Sequence, residues 1–72
     1  MSEEIKATIN RFIEGRERQI VEAEVVKMTQ ELKKSKTESE TEKAKHDMSI
    51  IKLEEAKAEL VKEIALLKEL LA

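Results

Sequence analysis

The chain has 72 residues with no cysteine, tryptophan, tyrosine or proline, and only one histidine, one glycine and one phenylalanine. Disulfides are therefore excluded, a single His argues against structural zinc, and association is the remaining route to stability for a chain short enough to bury only about 60% of its unfolded surface. Charged residues at 42% and aromatics at 1% match long helices and coiled coils rather than sheets, and a net charge of −2 sets up no field that would gather nucleic acid or anionic lipid.

The opening Met-Ser-Glu-Glu-Ile lacks the cationic and apolar regions of a signal peptide, and no apolar run approaches the about 20 residues of a membrane span. A cytoplasmic protein with no membrane partner is the expectation. Ser2, followed by Glu3 and Glu4, reads as the N-cap of a first helix with acids in its positive first turn, and the helix is predicted over about 2–34. Ile5, Ile9, Phe12, Ile13 and Ile20 cluster on one side of a helical wheel, whereas Val21, Val25, Met28 and Leu32 centre well over 100° further round at about 100° per residue. Gly15 lies between the two groups. A lone Gly costs about 1 kcal/mol in a helix interior, and the following Arg-Glu-Arg-Gln favours continuation over a stop.

From Lys33 to Asp47 the only apolar residue is Ala44. Lys33, Lys34 and Lys36 suit a helix C-terminus, and a polar turn is predicted over about 35–41. Thr37-Glu-Ser-Glu and Ser39-Glu-Thr-Glu are overlapping capping boxes, ready to start a second helix. Ser35, Thr37 and Ser39 each have Glu three residues on, which is also an acidic-directed phosphorylation pattern; capping accounts for the same spacing without a kinase. Against a turn stands the absence of Gly, Pro and Asn.

A second helix is predicted over about 42–71. Ile50, Leu53, Leu60, Ile64, Leu67 and Leu71 form an alternating three- and four-residue seam that Lys57 interrupts at a core-type position. Beside it Ala44, Ile51, Ala58, Ala65 and Ala72 recur every seven residues, small enough to admit a neighbouring helix. Near the end the chain is apolar on almost all sides, which favours a bundle of more than two helices. The whole reads as one all-α domain over 1–72: an antiparallel two-helix hairpin that self-associates into a helical bundle or coiled coil. The alternative is one long continuous coiled-coil helix, but the second-half seam extended backwards meets only Leu32 and Val25.

Candidate chemistry is sparse. Glu42 and His46 share a helix face beside Asp47, but a zinc site needs three or four ligands, and no Ser or Thr has a base and an orienting carboxylate in a recognisable arrangement. No cofactor, metal or enzyme activity is expected. Lys6, Arg11, Arg16 and Arg18 make a basic patch around Phe12, diluted by Glu14 and Glu17, and Phe12 in line with Ile5 and Ile9 reads as core. Arg11-Phe12-Ile13 resembles the RNA-contacting segment of the Rop-type plasmid copy-number regulators, which are dimeric helical hairpins; Thr8 stands where that family carries Asn. The resemblance implies an RNA- or DNA-binding regulator on a dimeric four-helix bundle as one alternative function, and an assembly chaperone whose apolar stripe binds another protein is a second. The main expectation is a structural, oligomerisation or adaptor protein that acts through helix packing, with a homo-oligomer, a dimer first, as the assembly and nucleic acid not an expected partner. Its interface residues would be Ile5, Ile9, Phe12, Ile13, Ile20, Val25, Met28 and Leu32 from the first half. The second half would add Ile50, Leu53, Lys57, Leu60, Ile64, Leu67 and Leu71.

Overall fold

A computed structural model describes all residues, 1–72, as two helices, α1 (Glu3–Lys36) and α2 (Glu40–Leu71), joined by Thr37-Glu38-Ser39. They pack as an antiparallel hairpin measuring 56 × 15 × 11 Å. Ser2 caps α1 by accepting the Ile5 N–H at 3.1 Å, and Glu3 and Glu4 occupy the first turn. α1 runs through Gly15 without interruption, as its flanking sequence favours.

The turn is tighter than the seven residues expected, because Thr37 serves both helices. Its N–H still donates to Lys33 O at 3.1 Å, while its hydroxyl donates to the Glu42 carboxylate at 2.6 Å and accepts the Ser39 N–H at 3.3 Å. Ser39 then caps α2 by accepting the Glu42 N–H. The Ser39-Glu-Thr-Glu box is thus the one used, with the return bond of its Glu routed through Thr37 rather than to the cap itself. Thr37 (φ −92°, ψ 146°) and Ser39 (φ −74°, ψ 121°) are extended, and no residue has positive φ. A reversal built from extended residues needs no Gly, Pro or Asn, which is why their absence did not prevent it.

Heptad phase explains why the chain turns instead of running on as a rod. In α1 the partly or fully buried rows are Ile9, Ile13, Arg16, Ile20, Ala23, Lys27, Gln30, Lys34 and Thr37, spaced alternately by four and three residues. In α2 they are Lys43, His46, Ile50, Leu53, Lys57, Leu60, Ile64, Leu67 and Leu71, spaced by three and four. Extending the α1 rows past Thr37 reaches Thr41, Ala44, Met48 and Ile51, two residues out of step with α2, so a continuous helix would point the two seams about 160° apart. The long continuous helix is therefore not the fold; only a break lets both seams face each other.

The core is small. Ile9, Ile13 and Ile64 are the buried residues, with Ile20, Leu67 and Leu71 packed against them, all in the half of the hairpin nearest the termini. The chain exposes 5541 Å², so against the roughly 12,000 Å² of an unfolded chain of 8.3 kDa it buries little more than half. No helix is long and apolar enough to cross a membrane.

Candidate packing surfaces

Two surfaces are available for function: the seam between the helices and the faces turned away from it. The seam changes character along its length. Toward the turn it is polar, carrying Lys27, Gln30 and Lys34 from α1 against His46, Ile50 and Leu53 from α2. Each basic seam residue with a cross-helix partner reaches an acid beside the seam on the opposite helix. Arg16 Nε donates to Glu63 at 2.6 Å, Lys27 pairs with Glu54 at 2.5 Å, Lys34 with Asp47 at 2.6 Å, and Lys57 with Glu24. The stems of these side chains lie in the seam and the charged ends emerge at its edge, the usual way for a long cation to occupy a core position. Lys57 is thus at a core position with a Glu of the neighbouring helix beside it, and Glu54 at 3.9 Å is a second acid in reach. The Glu54 carboxylate, hydrogen-bonded to Lys27, holds that ammonium above its ordinary value of 10.5 despite partial desolvation.

Nearest the turn, His46 Nδ1 lies 2.6 Å from Gln30 Oε1, and because an amide oxygen only accepts, the ring nitrogen is the donor. Glu42, the other half of the candidate metal pair, is occupied by Thr37. Glu42 and His46 do line one shallow depression, with Lys33, Lys36 and Thr37, but no group of three or more His, Cys, Asp or Glu residues is placed to hold a metal ion.

The fifteen residues expected at an interface divide between the two surfaces. Ile9, Ile13, Ile20, Ile50, Leu53, Lys57, Leu60, Ile64, Leu67 and Leu71 face the seam of the hairpin. Ile5, Phe12, Val25, Met28 and Leu32 do not: each is between 51% and 63% exposed. Ile5 lies beyond the end of α2, since the Arg16–Glu63 and Lys27–Glu54 pairs set Leu71 level with Ile9. The expectation that Phe12 is core is corrected. It sits on the flank next to Ile13, and the Arg16 guanidinium lies 5.7 Å from its ring centroid while donating to the Phe12 carbonyl at 3.3 Å. Arg16 is thereby withdrawn from the basic patch into the seam, and Arg11 donates to Thr8 at 3.3 Å.

Sequence reasoning missed Arg16, Lys27, Gln30, Lys34, Lys43 and His46 as seam residues. The signal was present: carrying the Ile9/Ile13/Ile20 spacing forward through polar residues reaches Lys27 and Lys34 directly.

Outside the seam, Val21, Val25, Met28 and Leu32 form a continuous apolar row on α1, with a groove lined by Val25, Met28, Thr29, Glu31 and Leu32. On α2 the outward row is Ala44, Ile51, Ala58, Ala65 and Ala72, with Met48 next to it; all are exposed. No family model, curated protein or solved structure matches this chain.

Proposed function

We propose that the chain is a helix-packing assembly element, an oligomerisation or adaptor module whose outward apolar face is its working surface. The observation that carries this reading is an inversion in the second half of α1. Between residues 21 and 34 the helix turns Lys27, Gln30 and Lys34 inward and leaves Val21, Val25, Met28 and Leu32 between 56% and 63% exposed. Single exposed aliphatics are ordinary, but four adjacent ones over three turns of one helix make a contiguous patch of the kind that packs against another chain. The hairpin gains nothing from keeping that row in water.

The test uses the full chain with Val25→Glu and Met28→Glu together. Both sites are well exposed, so helicity and melting temperature should hold, since surface substitutions away from special features shift stability by about 0.5 kcal/mol or less. Binding of a hydrophobic dye, and any assembled mass seen by light scattering, should fall. If neither changes, the face does no packing and the reading is wrong.

A further inference from the structure

We infer that a second copy of the chain packs on one flank of the hairpin, the side that carries Phe12 and Val26, in a two-fold four-helix bundle. This surface is separate from the outer row of α1 and does not depend on what that row binds.

The two flanks of the seam differ in charge, and contacts identify the residues on each. Phe12, Gln19 and Val26 recur every seven residues on α1, and Ala56, Glu63 and Leu70 do so on α2, each about a quarter-turn from its seam at about 100° per residue. The Arg16 guanidinium, 5.7 Å from the centroid of the Phe12 ring and bonded through Nε to Glu63, ties the two rows to one side. Lys33 and Glu42, which close the same rows at the turn, line one depression. The opposite flank carries Glu17, Glu24 and Glu31 with Asp47 and Glu54, and three of the four cross-helix ion pairs emerge there. An apolar flank beside an apolar seam gives each helix the wider stripe of a bundle helix.

Along the Phe12 flank the side chains stand in pairs. Because Leu71 lies level with Ile9, Phe12 is beside Leu70, Gln19 beside Glu63 and Val26 beside Ala56, with successive pairs about 10 Å apart at 1.5 Å per residue. Phe12, Val26 and Leu70 are each about half exposed. Apolar, polar and apolar pairs thus follow one another, symmetric about Gln19.

That pattern is complementary to itself. A two-fold axis along the rod sets each pair on its own copy, and one across the rod at Gln19 sets the Phe12 pair on the Val26 pair. Either way apolar meets apolar at two levels about 21 Å apart. The middle pair is satisfied too, since the Gln19 amide both donates and accepts and Glu63 keeps its Arg16 partner. The acidic flank has no such solution, because a two-fold there brings five carboxylates of one copy against five of the other. The area agrees with one such contact. At 5541 Å² the hairpin exposes about 900 Å² more than the roughly 4,600 Å² of a compact protein of 8.3 kDa, close to the about 800 Å² that one partner contributes to a standard interface.

Three measurements on the full chain read the proposal. Light scattering should give twice the 8.3 kDa protomer mass at micromolar concentration. Val26→Glu with Ala56→Glu, both at exposed sites, should keep full helicity and raise the dimer Kd at least about tenfold, because carboxylates then enter an apolar contact. Val61→Glu, 56% exposed on the acidic flank, adds charge on the other side and should leave Kd within about twofold. Nitroxides at Gln19→Cys should lie within about 20 Å of each other and those at Glu17→Cys more than about 25 Å apart, since packed helices are about 8–10 Å apart and the two sites are on opposite flanks. A monomer would overturn the proposal, as would a dimer indifferent to Val26→Glu/Ala56→Glu or one whose labels are closer at residue 17 than at residue 19. Val25→Glu/Met28→Glu separates this surface from the outer row: any mass above the dimer should fall to the dimer and no further. A monomer from that variant would overturn the flank contact and leave the assembly reading. An unchanged dimer with unchanged dye binding would do the reverse.

Discussion

Ile64→Ala probes the seam where it is best packed. Ile64 is 9% exposed and is the one buried residue that α2 contributes, closing over Ile9 and Ile13 with Leu67 and Leu71 beside it. The substitution removes three carbon groups, each worth about 0.8 kcal/mol when buried, so a nine-tenths buried site loses roughly 2 kcal/mol in transfer alone. A cavity contribution would raise this toward the upper range of about 2–5 kcal/mol for such changes, but two helices open to solvent on both flanks can close on the gap. The expected loss is therefore about 2 kcal/mol. For a domain of this size that lowers the melting temperature by roughly 8–16 °C, at about 4–8 °C per kcal/mol. The assay is thermal melting followed by circular dichroism at 222 nm, at one fixed protein concentration because association would shift the midpoint. Leu66→Ala, at a site 63% exposed, is the control and should move the midpoint by only a few degrees. If the two variants melt alike, the seam drawn through Ile9, Ile13 and Ile64 is not the core.

Three further outcomes follow from the same geometry. Lys57→Leu replaces a seam cation whose side chain is 21% exposed and leaves Glu24, at 40% exposure, in contact with water, so the melting temperature should rise by several degrees, about 1 kcal/mol; a fall would mean the Glu24 pair is needed. Gly15→Ala should raise the urea midpoint by about 0.5–1 kcal/mol of stability, because a Cβ there meets nothing within 4 Å and the backbone has ordinary helical φ; a lower midpoint would contradict the open site. The raised Lys27 pKa makes a contribution that is complete below its unfolded value near 10.5 and is lost as pH climbs through the higher folded value. Urea midpoints at pH 9 and pH 11.5 should therefore fall less in Lys27→Met than in the parent, and an equal fall would remove the Glu54 bond as the cause.

Much of the fold is legible in the sequence because its signals are local. Ser2 with Glu3 and Glu4, and Ser39 with Glu42, mark both helix starts, and the two caps form as written. The hairpin itself is encoded in a phase difference: the α1 rows run to Thr37 and the α2 rows begin at Lys43, two residues out of step. The partition of apolar residues between seam and outer face is harder to see. In α1 two apolar sets compete, and weighing them by hydrophobicity alone assigns Val25, Met28 and Leu32 to the interior. What decides is continuity with Ile9, Ile13 and Ile20, whose rows carry on through charged residues. A long cation that lays its stem in a seam and its charge at the edge does not register as core on any hydropathy scale. Phe12 misleads for the related reason that it adjoins Ile13 and yet lies one step off the row.

The charged seam residues bear on uniqueness more than on strength. Each pair is at least one-fifth exposed, where ion pairs contribute about 0–1 kcal/mol, so their sum is small beside the burial of Ile9, Ile13 and Ile64. Their effect on alternatives is larger. A seam made only of Ile and Leu can slide by a heptad and still match apolar against apolar. Here, sliding α2 by seven residues in one direction sets Arg16 against Leu70 and Glu24 against Ile64; in the other it sets Arg16 against Ala56. At least two of the four cross-helix pairs are lost in each case, and in the first a carboxylate is pressed onto the most buried residue of α2, where an unpaired charge is costly. The three-residue turn enforces the same register from the other end, because its Thr37–Glu42 bond fixes where α2 begins relative to Lys33. With register fixed by charge and turn, the apolar residues on the outer flank are held at defined levels along the rod.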